Sequence, residues 1–391
     1  MANDERTKAF DVLNIPHDHK AVLCLDGGGI RGILTLQLLK KMEELAGLPC
    51  YDIFDMVAGT STGGIIAGLI ASSKRAVEIE GLYKKLVTKV FKKRNWRSGR
   101  FVYPPLYDKI NYRNALREII GNQTLQSACN KSNLDILITA KDITAGEETF
   151  FTSFKDDKGK FHGSYKDVLL RSVMEATMSA PTYFHPLERF VDGGTTTYNN
   201  PTLAALLEAV HYGPDNKYSR EKITVLSFGT GTSIEFIDPK ETLDPEGSDA
   251  LFWLQLVMRE SSQDASEMQI NLLRSKLFPK LDHRRFQISL DEQSIKKLPN
   301  RQITDLDDLE ADWLWDLTNE ELKGVELDDV KRFSLMEEIG KAMVDFVVKN
   351  GAFQRDLVDK KGHDLLVTRF GDVARIKKQM GDPAWVDGFD S

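Results

Sequence analysis

Gly59-Thr60-Ser61-Thr62-Gly63, set between the apolar run Ile53–Ala58 and the small-residue run Gly64–Ile70, reads as a strand, a tight turn and a helix with a serine at the apex. Glycine on both sides suits such an elbow, because Gly59 and Gly63 leave room for a sharp, strained backbone that lifts one side chain clear of the sheet. The helix behind the turn adds amide groups and a positive dipole end, which favour developing negative charge near Ser61. Small residues also suit any strand-to-helix turn, so the elbow gains meaning from what accompanies it.

Upstream, the strand-like Ala21-Val22-Leu23-Cys24-Leu25 runs into Asp26-Gly27-Gly28-Gly29-Ile30-Arg31-Gly32 and then into an apolar helical pattern, Ile33 to Leu39 with Met42 and Leu45, that stops at Gly47. Consecutive glycines let successive N–H groups converge without side chains in the way, a geometry suited to an oxyanion. Gly27, Gly29 and Gly32 also spell G-x-G-x-x-G, the dinucleotide fingerprint. Against a dinucleotide, Asp26 would repel a pyrophosphate, and the second strand leads into the serine elbow instead of an acidic residue for ribose. A glycine loop that only permits close strand–helix packing is the third reading. Downstream, Val191-Asp192-Gly193-Gly194 places an aspartate at a strand end before Asn199-Asn200-Pro201, read as an Asn cap and first-turn Pro opening a helix over 202–210.

In this order the three motifs resemble the patatin-like phospholipases, whose D-G-G-G-x-R-G loop, G-x-S-x-G elbow and later D-G-[GA] are met by residues 26–32, 59–63 and 192–194. Glu175 to Phe184 is similar to the family's stretch before its aspartate, with Met178 where a small residue is commoner. Leu226 to Thr232 is similar to the family strand that follows. The likeness covers roughly residues 18–235 as a catalytic domain, with 236–391 expected to be a mainly helical region packed on or regulating it. The resemblance implies a patatin-type α/β fold and hydrolysis of phospholipid or galactolipid esters through an acyl-enzyme. It makes Ser61 the nucleophile and Asp192 its base, with Gly27, Gly28 and Gly29 as the oxyanion loop and Arg31 and Gly32 supporting it. No cofactor or metal is implied. An ordinary aspartate, with a pKa of about 3.9, is a poor base for a hydroxyl, so Asp192 needs burial or a direct bond to Ser61.

Two other classes stay open. A Ser–Asp–His esterase would need a histidine after or near Asp192, and His185, His211 and His283 are the candidates; His211, at a helix end, and His283, in the polar run Asp282-His283-Arg284-Arg285, are expected to be exposed or to cap helix ends. A lipid-binding or nucleotide-regulated member of the fold would keep the architecture and place a small regulatory ligand in residues 240–391.

Strand-like segments at 21–25, 53–58, 134–140, 149–154, 189–192 and 223–228, separated by helical patterns, predict a mostly parallel sheet flanked by helices. Beyond residue 249 the pattern is helical at 251–273 and 317–350, with a strand-like 286–290 between them.

Composition fits a globular enzyme: 391 residues, 41% hydrophobic and 28% charged. No run approaches the roughly 20 apolar residues of a membrane span. Three cysteines without metal-ligand spacing point to a reduced, cytoplasmic home. A net charge of −7 argues against binding nucleic-acid polymers. Lys84, Lys85, Lys89, Lys92, Lys93, Arg94, Arg97 and Arg100 nevertheless cluster with Phe91, Trp96, Phe101 and Tyr103. This segment, above all Lys92, Lys93, Arg94 and Trp96, is expected either to touch an anionic membrane surface peripherally or to be a solvated helix face with its apolar side turned inward. The acidic region 305–329, with Trp313 and Trp315, reads as a surface flap, a partner of that basic segment or a solvated acidic helix.

Overall fold

The computed structural model describes residues 2–90, 107–154, 165–213, 217–233, 250–303, 309, 311–323, 325, 328–369, 378 and 380–383. Its centre is a seven-stranded sheet: β1 Lys20–Leu25, β2 Met56–Thr60, β3 Asp135–Asp142, β4 Glu147–Thr152, β5 Phe190–Asp192, β6 Ile223–Phe228 and β7 Asp282–Phe286. The order is β4-β3-β2-β1-β6-β7, with β5 pairing β3. Strands β3, β2, β1, β6 and β7 are parallel, while β4 and β5 run antiparallel to β3. A parallel sheet needs helices on both faces, and the strands bear this out: β2 and β6 are buried along their whole length and β1 from Ala21 onward.

Alternation along β1 divides the core in two. Ala21, Leu23 and Leu25 join the larger core, which also takes in helices Gly32–Ala46, Thr62–Ala71 and Phe333–Lys349. Val22 and Cys24 turn to the second core, with Val225 of β6, Ala204, Ala205 and Ala209 of helix Thr202–His211, and Leu273. Cys24, Cys50 and Cys129 are buried and unpaired, and burial pushes the Cys24 thiol up to about 12. No described helix is long and apolar enough to cross a membrane.

The structure departs from the sequence expectations at three places. Strand β2 starts at Met56, because Cys50–Ile53 close into a helical turn first. The expected long helix over 317–350 is the helix Phe333–Lys349, preceded by short helical pieces at Leu314–Asp316, Asn319–Lys323 and Val330–Arg332. The strand expected at 286–290 is Asp282–Phe286, and it extends the central sheet. His283, expected to be exposed or to cap a helix end, is buried in this strand, with its pKa lowered to about 3 by burial and by Arg274 and Arg285.

Two buried arginines explain why so polar a stretch forms a buried strand at the end of the sheet. Arg284 points to one face and donates to the carbonyls of Leu13 (2.5 Å), Asn14 (2.7 Å) and Phe353 (2.8 Å), tying the N-terminal helix to the C-terminal segment. Arg285 points to the other face and meets Asp26. Each satisfied donor removes a desolvation penalty that would otherwise exclude a guanidinium from the interior.

Candidate active site

β1 and β2 run side by side, with Leu25 opposite Gly59, so the glycine loop and the serine elbow leave the sheet at the same edge. The elbow is too tight for side chains: a Cβ on Gly59 would lie 2.2 Å from the carbonyl oxygen of Gly63, and one on Gly63 would lie 2.2 Å from that of Leu25. Ser61 itself sits at φ 53°, ψ −123°, a conformation an L-residue adopts only when its surroundings enforce it. Part of that enforcement is a hydrogen bond from its N–H to Thr177 Oγ1 at 2.7 Å.

Asp192 arrives from the opposite direction. β5 pairs antiparallel with β3, placing Asp192 opposite Ala140, and the Asp192 N–H donates to the Ser179 carbonyl at 3.1 Å. Ser179 is held in turn by Lys109, whose ammonium donates to Ser179 Oγ at 2.7 Å and lies 3.3 Å from Glu175. Ser61 Oγ donates to Asp192 Oδ2 at 2.7 Å, and the Gly194 N–H donates to Oδ1 at 2.7 Å. Only 4% of Asp192 is exposed. That burial raises its pKa to about 6, against the lowering pull of the Ser61 and Gly194 hydrogen bonds.

The glycine loop lies alongside. A Cβ on Gly27 would stand 3.1 Å from Ser61 Cβ, and one on Gly28 only 2.1 Å from Thr230 Oγ1. The Gly27 N–H is committed to the Asn199 carbonyl at 3.2 Å. Those of Gly28 and Gly29 have no acceptor among the described residues. The loop's carbonyls are tied down instead: Gly27 accepts from Thr230 Oγ1 (2.8 Å), Gly28 from Arg31 Nε (3.4 Å) and Gly29 from the Tyr83 hydroxyl. The Gly32 N–H turns back to Gly29. Anchored carbonyls and open amides are a geometry that suits an anion.

All the expected site residues in the three motifs are thus brought to one edge of the sheet. Lys92, Lys93, Arg94 and Trp96 lie outside the described residues. Of the neighbouring basic segment, Leu86, Val87 and Val90 are buried, Lys85 and Lys89 are exposed, and Lys84 is paired with Glu337 (2.8 Å) and Glu80 (3.2 Å). Among the described residues no histidine hydrogen-bonds Ser61 or Asp192, and His185 and His211 are exposed. The helix expected to open with an Asn cap starts at Thr202 after Pro201, and the side chain that reaches its first amide belongs to Asn200 (3.1 Å). Thr177, Thr230 and Tyr83 had no individual role in the sequence reading, and Asn199 was read only as part of a helix cap, since each acts through bonds to a segment distant in the chain.

Fold and site define the class: an open α/β protein carrying a serine elbow, a buried aspartate and a glycine cradle at the carboxyl edge of its central strands. Residues 23–206 match the family model of the patatin-like phospholipases. The chain is 34% identical over 237 residues to rat 85/88 kDa calcium-independent phospholipase A2, covering 56% of this chain and 28% of that protein. A Vibrio cholerae cGAMP-activated phospholipase is 30% identical over 48% of this chain and 57% of its own length. Potato Patatin-1-Kuras 2 is 26% identical over 70% of this chain and 79% of its own length. Among solved structures, human GIVD cytosolic phospholipase A2 aligns over 90% of this chain and 63% of its own, at 10% identity and a TM-score of 0.43. The chain thus spans little more than a quarter of the mammalian relative and about half of the bacterial one.

Proposed function

We propose that the protein is a lipid acyl hydrolase of the phospholipase A type, cleaving carboxylic ester bonds of membrane glycerolipids with Ser61 and Asp192. The observation that carries this reading is the 2.7 Å hydrogen bond from Ser61 Oγ to a buried carboxylate beside two open backbone amides. Asp192 accepts the hydroxyl proton as Ser61 Oγ attacks the ester carbonyl, and the amides of Gly28 and Gly29 receive the oxyanion. Protonated Asp192 then returns the proton to the leaving lyso-lipid oxygen, leaving an acyl-Ser61 that water releases with Asp192 again as base. The names of the rat and Vibrio relatives support a phospholipid substrate. Peripheral docking on a bilayer belongs to this reading, because such esters lie within membranes.

Incubating vesicles of defined phosphatidylcholine and phosphatidylglycerol with the wild type and with Ser61→Ala, and identifying products by mass spectrometry, tests it. Free fatty acid and lysophospholipid are expected from the wild type alone, and equal product from the variant would refute the assignment.

A base with a pKa near 6 sets the pH dependence. On a soluble ester, log kcat/KM should be level above about pH 7 and fall with unit slope below about pH 6, as Asp192 becomes protonated. A rate unchanged from pH 8 to pH 4.5 would remove Asp192 as the base. The cradle makes its own demand. Gly28→Ala puts a methyl group against Thr230, forcing the loop to move, and should lower kcat on the order of 100-fold with KM little changed.

A further inference from the structure

Asp26 ends β1's run and opens the glycine loop, and its carboxylate is buried at 4% exposure. A lone negative charge there would oppose the reaction, since it stands close to the amides that must receive an oxyanion. The chain meets it with Arg285, 259 residues away and 1% exposed. Arg285 Nη1 donates to Asp26 Oδ1 at 2.8 Å while Nη2 donates to Oδ2, a two-pronged contact that fixes the carboxylate's plane as well as its charge. Nη1 also reaches Ser227 Oγ at 2.8 Å, and the Arg285 main-chain N–H donates to Asp356 Oδ1 at 2.9 Å. Asp356 is itself gripped by Arg274 at 2.7 and 2.9 Å, and Arg274 also holds Asp364. The mount of Arg285 is therefore built wholly from the C-terminal region and β6.

We propose that Arg285 is a positioning residue for the oxyanion loop, neutralising and clamping Asp26 so that the Gly28 and Gly29 amides stay aimed beside Ser61. The role rests on the hydrolase reading of Ser61. It explains why so polar a segment supplies the last strand of the sheet: β7 delivers a guanidinium to the end of β1.

The test is steady-state hydrolysis of p-nitrophenyl butyrate by the wild type, Ser61→Ala, Arg285→Lys, Arg285→Met and the double variant Asp26→Asn/Arg285→Met. Folding is followed by circular dichroism and thermal melting, and rates are taken well below each Tm. Arg285→Met should lower kcat about 100-fold while KM stays within about 3-fold, the signature of an interaction made in the transition state. Arg285→Lys, which keeps the charge and loses the fork, should fall between it and the wild type. The double variant, with neither charge left buried, should regain about 10-fold over Arg285→Met. A purely structural arginine would lower Tm and leave kcat of the folded protein near wild type, which overturns the proposal, as does a double variant no faster than Arg285→Met. If Arg285→Met fails to fold, the lysine and double variants decide by the same comparison with wild type. Failure of the hydrolase reading has a different signature, turnover that survives Ser61→Ala, and it would take the role of Arg285 with it.

Discussion

Ser61→Ala should reduce ester turnover by roughly 10⁶-fold, to the level that binding and the amide cradle supply without a nucleophile. Ser61 sits at the apex of a turn whose shape is set by Gly59, Gly63 and the Thr177 hydrogen bond, none of which needs the hydroxyl. The variant should therefore fold with an unchanged circular dichroism spectrum. A single-turnover assay checks the loss more sharply than steady state: a burst of alcohol product, one equivalent per enzyme, is expected from the wild type where deacylation is slow and must vanish in the variant. A burst that persisted would place the nucleophile elsewhere.

Asp192→Asn should come next, at about 10⁴-fold in kcat, because the amide keeps the size of the carboxylate and loses its basicity. The same substitution should stabilise the protein. Burial raises the folded-state pKa of Asp192 from 3.8 to about 6, so between those values the native state binds the proton that the unfolded chain has released. Stability therefore falls as pH rises through that window, and above it the ionised, buried carboxylate is a liability of about 3 kcal/mol. Denaturant melts of the wild type and Asp192→Asn should coincide below about pH 4 and separate above about pH 6, the variant being the more stable. A variant less stable than wild type at pH 8 would show that the Ser61 and Gly194 hydrogen bonds outweigh the desolvation. Activity lost while stability is gained is the mark of a group kept for chemistry.

The elbow, the glycine loop and the aspartate were legible in the sequence because each demands particular residue types over a few consecutive positions. Gly59 and Gly63 have no room for a Cβ, and that is a local property. Likewise the apolar runs of β1, β2 and β6 show their burial directly. What escaped depends on pairing across long separations. Asp282–Phe286 has the polarity of a surface loop, and acceptors far off in the chain, among them the carbonyls of Leu13, Asn14 and Phe353 and the carboxylate of Asp26, let it be a buried strand. Periodicity registers what a side chain is, and a guanidinium reads as exposed until its acceptors are known. In the same way the three glycines of the loop look equivalent in the sequence. They differ because the Asn199 carbonyl, 172 residues on, engages the Gly27 N–H and leaves those of Gly28 and Gly29 open.

The late position of β7 bears on how the protein is made. Ser61, the glycines and Asp192 all leave the ribosome before Arg285 has been translated, so an unfinished chain holds every reacting group beside an unneutralised Asp26. On the proposed reading, full activity then waits for the segment that carries Arg285. A chain cut short before Arg285 would lack the clamp on Asp26.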